Sequence, residues 1–207
     1  MEVVQDLEAD IDVTKNTGLK LWDGAFLLAR YLENGLTFPA GFWCNKKCVE
    51  LGSGCGLVGI VTWLLGAKVT LTDMPSAVNH TKVCVTMNTD RLTRGDSLLA
   101  GRIADIEVQS YCWGENTDSF LRPFDFVLGS DIVYHPEATE SLIASLKLLS
   151  GPQTVILITY KPRGLGEDIF FTELTKNGFA FKEISTEHHP HDFQDSGYSI
   201  FQIIRSV

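Results

Sequence analysis

No Cys-x-x-Cys pair occurs in the sequence, and its five cysteines (Cys44, Cys48, Cys55, Cys84 and Cys112) are odd in number. Both facts argue against a disulfide framework and a structural zinc site, and they point to a reducing compartment: cytoplasm, with the nucleus second. No apolar run reaches the ~18 residues that a membrane-spanning helix needs, and the opening MEVVQDLEAD lacks the charged-then-apolar order of a secretion signal. Internal repeats and low-complexity tracts are also missing. Positive charge is scarce: 17 Lys and Arg stand against 26 Asp and Glu, a net charge of −9. Such a surface repels phosphate backbones, so no nucleic-acid partner is expected. An acidic surface is compatible with a basic protein substrate.

What is present suits one folded domain. The 207 residues are 44% hydrophobic, enough for a full core. Residues 1–17 are polar and acidic and read as a flexible arm; residues 18–207 read as a single domain, expected to be monomeric. Leu21, Trp22, Ala25, Phe26, Leu28, Ala29 and Leu32 recur at helical spacing, with Gly35 as the expected C-cap. Strand and helix patterns then alternate. Strands are expected at 47–51, 68–72, 106–111, 124–129 and 154–160. Helices are expected at 57–65, from Pro75 to about Met87, at 137–149 and at 167–176. Residues 91–102 read as a polar loop. This alternation predicts an α/β fold, a doubly wound and mostly parallel sheet. The last strands, 179–185 and 198–204, are joined by only ~12 residues without a helical pattern. They are expected to pair as an antiparallel hairpin.

VELGSGCGLVGI, residues 49–60, places Gly52, Gly54 and Gly56 between a strand and a helix. Such a turn brings backbone close to a ligand at a helix N-terminus. Asp73 ends the next strand, about 20 residues on, where a carboxylate accepts ribose hydroxyls. The pair points to a nucleoside-containing ligand. Gly54 to Gly59 also fits the dinucleotide pattern G-x-G-x-x-G, so hydride and methyl transfer both remain in view. An aromatic-bearing helix before the loop, no room for a second domain and a C-terminal hairpin all favour methyl. Glu50, just before the loop, is a candidate partner for a ligand's ammonium.

Five segments carry a resemblance: LWDGAFLLARYLE (21–33), VELGSGCGLVGI (49–60), VTLTD (69–73), WG (113–114) and FDFVLGSDIVY (124–134). In this order and spacing they resemble the seven-strand S-adenosylmethionine-dependent methyltransferases. More narrowly, they resemble the methyltransferase-like family that modifies lysines of non-histone proteins such as chaperones and elongation factors. The resemblance implies S-adenosylmethionine as cofactor, resting on Gly52, Ser53 and Gly54 with its ribose on Asp73. It implies an adenine-side contact at Trp113, a further contact at Ser130 where the family more often has alanine, and a channel wall at Trp22.

Asp131 and Tyr134 form a D-x-x-Y motif at a strand's carboxyl end, the end that faces the ligand crevice in open α/β sheets. A lysine amine, with a reference pKa of ~10.4, must lose a proton before it attacks. A carboxylate favours the ammonium, so Asp131 is expected to aim the amine rather than deprotonate it, with Tyr134 walling the channel. Ile132 and Val133 replace the prolines that adenine and cytosine amino-methyltransferases carry in this motif. RNA or a small amine as methyl acceptor, or a non-catalytic cofactor-binding module, are the alternatives. No metal is expected: the histidines at 188–191 read as a substrate-side loop, Cys55 as a small residue in a tight turn, and the segment from Tyr160 to Arg163 as a solvated loop, with a contact at the substrate mouth as the alternative that the resemblance implies.

Overall fold

A computed structural model describes residues 20–116, 120 and 123–206; the arm expected at 1–17 lies outside the described residues. Helix α1 (Asp23–Leu32) comes first. It is followed by β1 (Lys47–Leu51), α2 (Leu57–Leu64), β2 (Lys68–Asp73), α3 (Val78–Thr93), the short α4 (Ser97–Ala100) and β3 (Ile106–Ser110). Then come β4 (Phe126–Ser130), α5 (Thr139–Leu149), β5 (Val155–Tyr160), α6 (Ile169–Lys176), β6 (Phe179–Glu183) and β7 (Ser199–Arg205).

The seven strands form one sheet in the order β3-β2-β1-β4-β5-β7-β6. The first five are parallel; β7 runs antiparallel to both β5 and β6. The sheet is therefore mixed, as the short last connection predicts. Burial explains the strand sequences. Four of the five residues of β1 are buried, and the apolar run of β5 (VILITY) is buried at five of six positions. Edge strand β6 buries only Phe179. Helices cover both faces, as parallel strands require. Leu27 and Leu28 of α1, Val58 and Ile60 of α2 and Val85 of α3 pack on one side. Leu142 and Leu146 of α5 with Phe170 and Leu174 of α6 pack on the other.

Many element ends shift by one to three residues, and the helices show the larger differences. Helix α1 ends on Glu33, before Gly35. Helix α3 runs to Thr93, and α4 follows where a loop is expected, capped by Asp96 accepting the N–H groups of Leu98 and Leu99. The strand order reverses between β1 and β4, which diverge toward β2 and β5. That switch point opens a crevice at the strands' carboxyl ends.

Candidate active site

A cavity of about 260 Å³ occupies this crevice. Its walls include Trp22, Gly52, Ser53, Gly54, Asp73, Trp113, Ser130, Asp131 and Tyr134. Nine of the ten sequence-derived candidates thus converge on one space, although they come from five separate segments of the chain.

The glycine turn is fixed from three sides. Gly52 and Gly54 have left-handed backbones, with φ of 62° and 52°. A Cβ on Gly52 would stand 3.0 Å from Ile132 and 3.4 Å from the Trp113 ring, so side-chain-free backbone is needed there. Ser53 Oγ accepts the Thr72 N–H (3.0 Å), tying the turn to β2. Gly54 donates its N–H to Asp73 Oδ2 (2.8 Å) and accepts from Thr81 Oγ1 (2.7 Å). Asp73 Oδ1 accepts the Met74 N–H (2.8 Å). A carboxylate has about four acceptor positions, so Asp73 keeps capacity for two hydroxyls. Burial raises its pKa, against the lowering effect of those N–H groups. Beyond the turn, Tyr111 and Trp113 supply aromatic wall; Tyr111 Oη (3.0 Å) and the Gly114 N–H (2.9 Å) both reach Ser145 Oγ on α5. A diol acceptor, an aromatic wall and a backbone turn free of side chains at Gly52 and Gly54 suit a nucleoside such as that of S-adenosylmethionine.

Glu50 is the exception and corrects the sequence reading. Its side chain is 1% exposed and points away from the cavity, under α2, where Oε2 accepts the Gly59 N–H (2.9 Å). Burial pushes its pKa up to about 8, favouring the neutral acid. Held under α2 and absent from the cavity wall, Glu50 does not reach a ligand's ammonium there.

Asp131 organises the far side of the cavity. Its Oδ1 accepts from Arg163 Nη2 (2.9 Å). Its Oδ2 accepts from the Gly24 N–H and from Tyr198 Oη, both at 3.1 Å. Three of roughly four acceptor positions are therefore filled, and one remains toward the cavity. Burial raises the Asp131 pKa, opposed by Arg163, Tyr198 and Gly24. Burial and Asp131 together push Tyr198 up to about 12. Arg163 also stacks over Trp22, its guanidinium 5.4 Å from the ring centre, and Lys20 approaches the same ring at 4.9 Å. Tyr134 lines the cavity and packs against His135, ring centres 4.3 Å apart.

Sequence reasoning misses Tyr198 and ranks Arg163 too low. Arg163 sits in the segment read as a solvated loop, and it is held by Glu167. That carboxylate accepts the N–H groups of Arg163, Gly164 (3.1 Å) and Leu165 (2.6 Å), which lower its pKa to about 2. Tyr198 lies 67 residues from Asp131 in sequence, and only the β5–β7 pairing brings it close.

Known proteins resemble this chain in sequence and in fold. A family model described as lysine methyltransferase matches residues 3–177. The chain is 36% identical over 165 residues to protein N-lysine methyltransferase METTL21A of Danio rerio, covering 79% of this chain and 69% of that protein. It is 32% identical over 204 residues to EEF1A lysine methyltransferase 3 of Xenopus tropicalis, covering 95% and 81%. Among solved structures it resembles the TehB-like SAM-dependent methyltransferase of Corynebacterium glutamicum, with a TM-score of 0.60, 16% identity and 86% and 87% of the two chains covered. The glycopeptide N-methyltransferase MtfA in complex with S-adenosyl-L-methionine also aligns, with a TM-score of 0.60, 12% identity and 86% and 93% covered. These two structures speak for the fold.

Proposed function

Because this chain belongs to the lysine methyltransferase family, we propose that it methylates a lysine side chain on a non-histone protein, with Asp131 and Tyr134 as the groups that receive the amine. Its cofactor is S-adenosylmethionine, which supplies an electrophilic methyl group on a sulfonium. The cofactor's place is assigned to the Gly52–Gly54 turn, Asp73, Trp113, Ser130 and Trp22. Ser130, the last residue of β4, sits beside Asp131 and contributes a small wall.

The amine must arrive neutral and aimed. Arg163, 2.9 Å from the Asp131 carboxylate, is a like charge to an ammonium and favours its loss of a proton. The acceptor position left on Asp131 takes one amine N–H, which turns the nitrogen lone pair toward the reacting carbon. Trp22 and Tyr134 narrow the approach and exclude water. Support for a protein substrate comes from the relatives, one of which is named for EEF1A, a translation factor. Monomeric action without nucleic acid is our reading of the −9 net charge. Among the described residues no helix is long and apolar enough to cross a membrane. We place the protein in the cytoplasm, with access to the nucleus, on the strength of its odd number of cysteines and its lack of a Cys-x-x-Cys pair.

The observation that carries the proposal is the three-point fixing of Asp131 at the cavity wall. Asp131→Ala is expected to keep cofactor affinity in calorimetry and to lose methyl transfer by ~100-fold or more. Cell extract incubated with labelled cofactor and wild-type protein should yield a labelled protein band, mapped to lysine by mass spectrometry. Retained turnover in the variant removes the role given to Asp131; labelled RNA without labelled protein overturns the substrate class.

A further inference from the structure

A second cluster lies against the glycine turn and plays no part in the chemistry above. Cys55 comes from the turn between β1 and α2, and His80 and Cys84 lie four residues apart on α3, on one helix face. His80 Nε2 stands 3.6 Å from Cys55 Sγ and 3.4 Å from Cys84 Sγ, and all three ligand atoms fall within 4.8 Å of one another. Among the described residues no other group of three or more His, Cys, Asp or Glu side chains converges in this way. Both cysteines are buried, with exposures of 1% and 0%, while His80 is half-buried and leaves a path from solvent.

The distances suit ligation: one ring nitrogen faces two sulfurs at nearly equal range. In a tetrahedral site with Zn–S of about 2.3 Å and Zn–N of about 2.0–2.1 Å, sulfur and nitrogen sit about 3.5–3.6 Å apart. Both observed separations lie within about 0.2 Å of that edge.

We propose that Cys55, His80 and Cys84 bind a single Zn²⁺ through two thiolates and one imidazole, leaving the fourth position to water or an added ligand. Binding releases the protons of the coordinating thiols to solvent. The ion ties the glycine turn to α3, adding to the bond from Thr81 Oγ1 to the Gly54 carbonyl. Because Cys55 also lines the cavity, the tie fixes the shape of the cofactor-side wall. The linear sequence conceals the set, since Cys55 stands 25 positions before His80 and no ligand pair has the usual close cysteine spacing.

The test uses the full chain, reduced with a phosphine and stripped of metal. One equivalent of Co²⁺ should give thiolate charge-transfer absorption in the near ultraviolet and tetrahedral d–d bands in the visible. One equivalent of Zn²⁺ should bleach both and raise the Tm. Cys84→Ser should lose the charge-transfer intensity. His80→Ala, at a half-buried position, gives a second variant whose fold circular dichroism can check. Loss of either ligand should weaken Zn²⁺ affinity beyond the ~10–100-fold that even outer-sphere changes produce. Absence of charge transfer in the reduced wild type overturns the proposal. So does an undiminished spectrum in a folded His80→Ala protein, or a spectrum lost only when His188 and His191 are replaced. None of these readouts depends on methyl transfer.

Discussion

Asp131 adopts φ 55°, a left-handed backbone that non-glycine residues rarely hold. Such strain persists only where surrounding contacts over-determine it, and here Arg163, Gly24 and Tyr198 all grip the side chain. Asp73 is the other pivotal acid. Removing it as Asp73→Ala deletes charge-assisted hydrogen bonds of ~1.5–3 kcal/mol, so cofactor affinity in calorimetry should fall at least ~10–100-fold; wild-type affinity contradicts the ribose assignment. Asp73, Asp131 and Tyr134 are legible in the sequence because each lies at or just past the end of a recognisable strand, and strand ends converge at the switch point. Glu50 is misread for a related reason. Side chains alternate along a strand, and on β1 Glu50 shares the direction of Cys48, toward the α1 and α2 side, whereas Val49 and Leu51 face α5. Proximity to the glycine turn in sequence does not give direction in space.

Helix α1 reaches the site through Gly24. A Cβ there would lie 2.4 Å from Asp131 Oδ2 and 2.7 Å from Thr159 Oγ1, closer than any carbon is tolerated. The glycine in LWDG is therefore a contact surface between α1 and the ends of β4 and β5, which Thr159 reinforces by donating to the Gly24 carbonyl (3.1 Å). Gly24→Ala should shift Asp131, lower turnover by ~100-fold and cost about 1–3 kcal/mol of stability. Steady-state kinetics and thermal denaturation measure both, and unchanged turnover would show that Asp131 tolerates displacement. Helix α3 shows where element boundaries escape sequence reading. Its late turns bury Asn88 and Thr89 and expose Val83 and Met87, the reverse of an amphipathic pattern. The polar side chains instead bond carbonyls one turn back: Asn88 to Cys84 (2.8 Å) and Thr89 to Val85 (2.9 Å). Polarity there marks a satisfied buried face rather than a loop, so the helix continues to Thr93 where hydrophobic periodicity ends near Met87.

At the scale of the whole molecule, the sheet that gathers the site also encloses an acid whose charge opposes folding. Glu50 sits inside the α1–α2 side of the sheet with a pKa raised from 4.5 to about 8. Between those values the folded chain holds a proton that the unfolded chain has released, so stability falls as pH rises through the window. The contribution is fully present below about 4.5, and its loss is complete once pH passes about 8. The slope is roughly 1 kcal/mol per pH unit, or about 2–4 °C of Tm per kcal/mol for a chain of this length. Glu167 works in the opposite sense and in another range: with its pKa lowered to about 2, its contribution is present above 4.5 and disappears as pH drops toward 2. The two windows do not overlap, so neutral and alkaline conditions isolate Glu50. Glu50→Gln keeps an acceptor for the Gly59 N–H and removes the ionisation. Its Tm should match the wild type near pH 5 and exceed it by a widening margin up to pH 8, after which the curves run parallel. Thermal melts of both proteins across that range provide the measurement. A constant offset from pH 5 to 9 would mean that Glu50 ionises as freely in the folded chain as in the unfolded one, and that this acid can after all carry a charge beside the glycine turn.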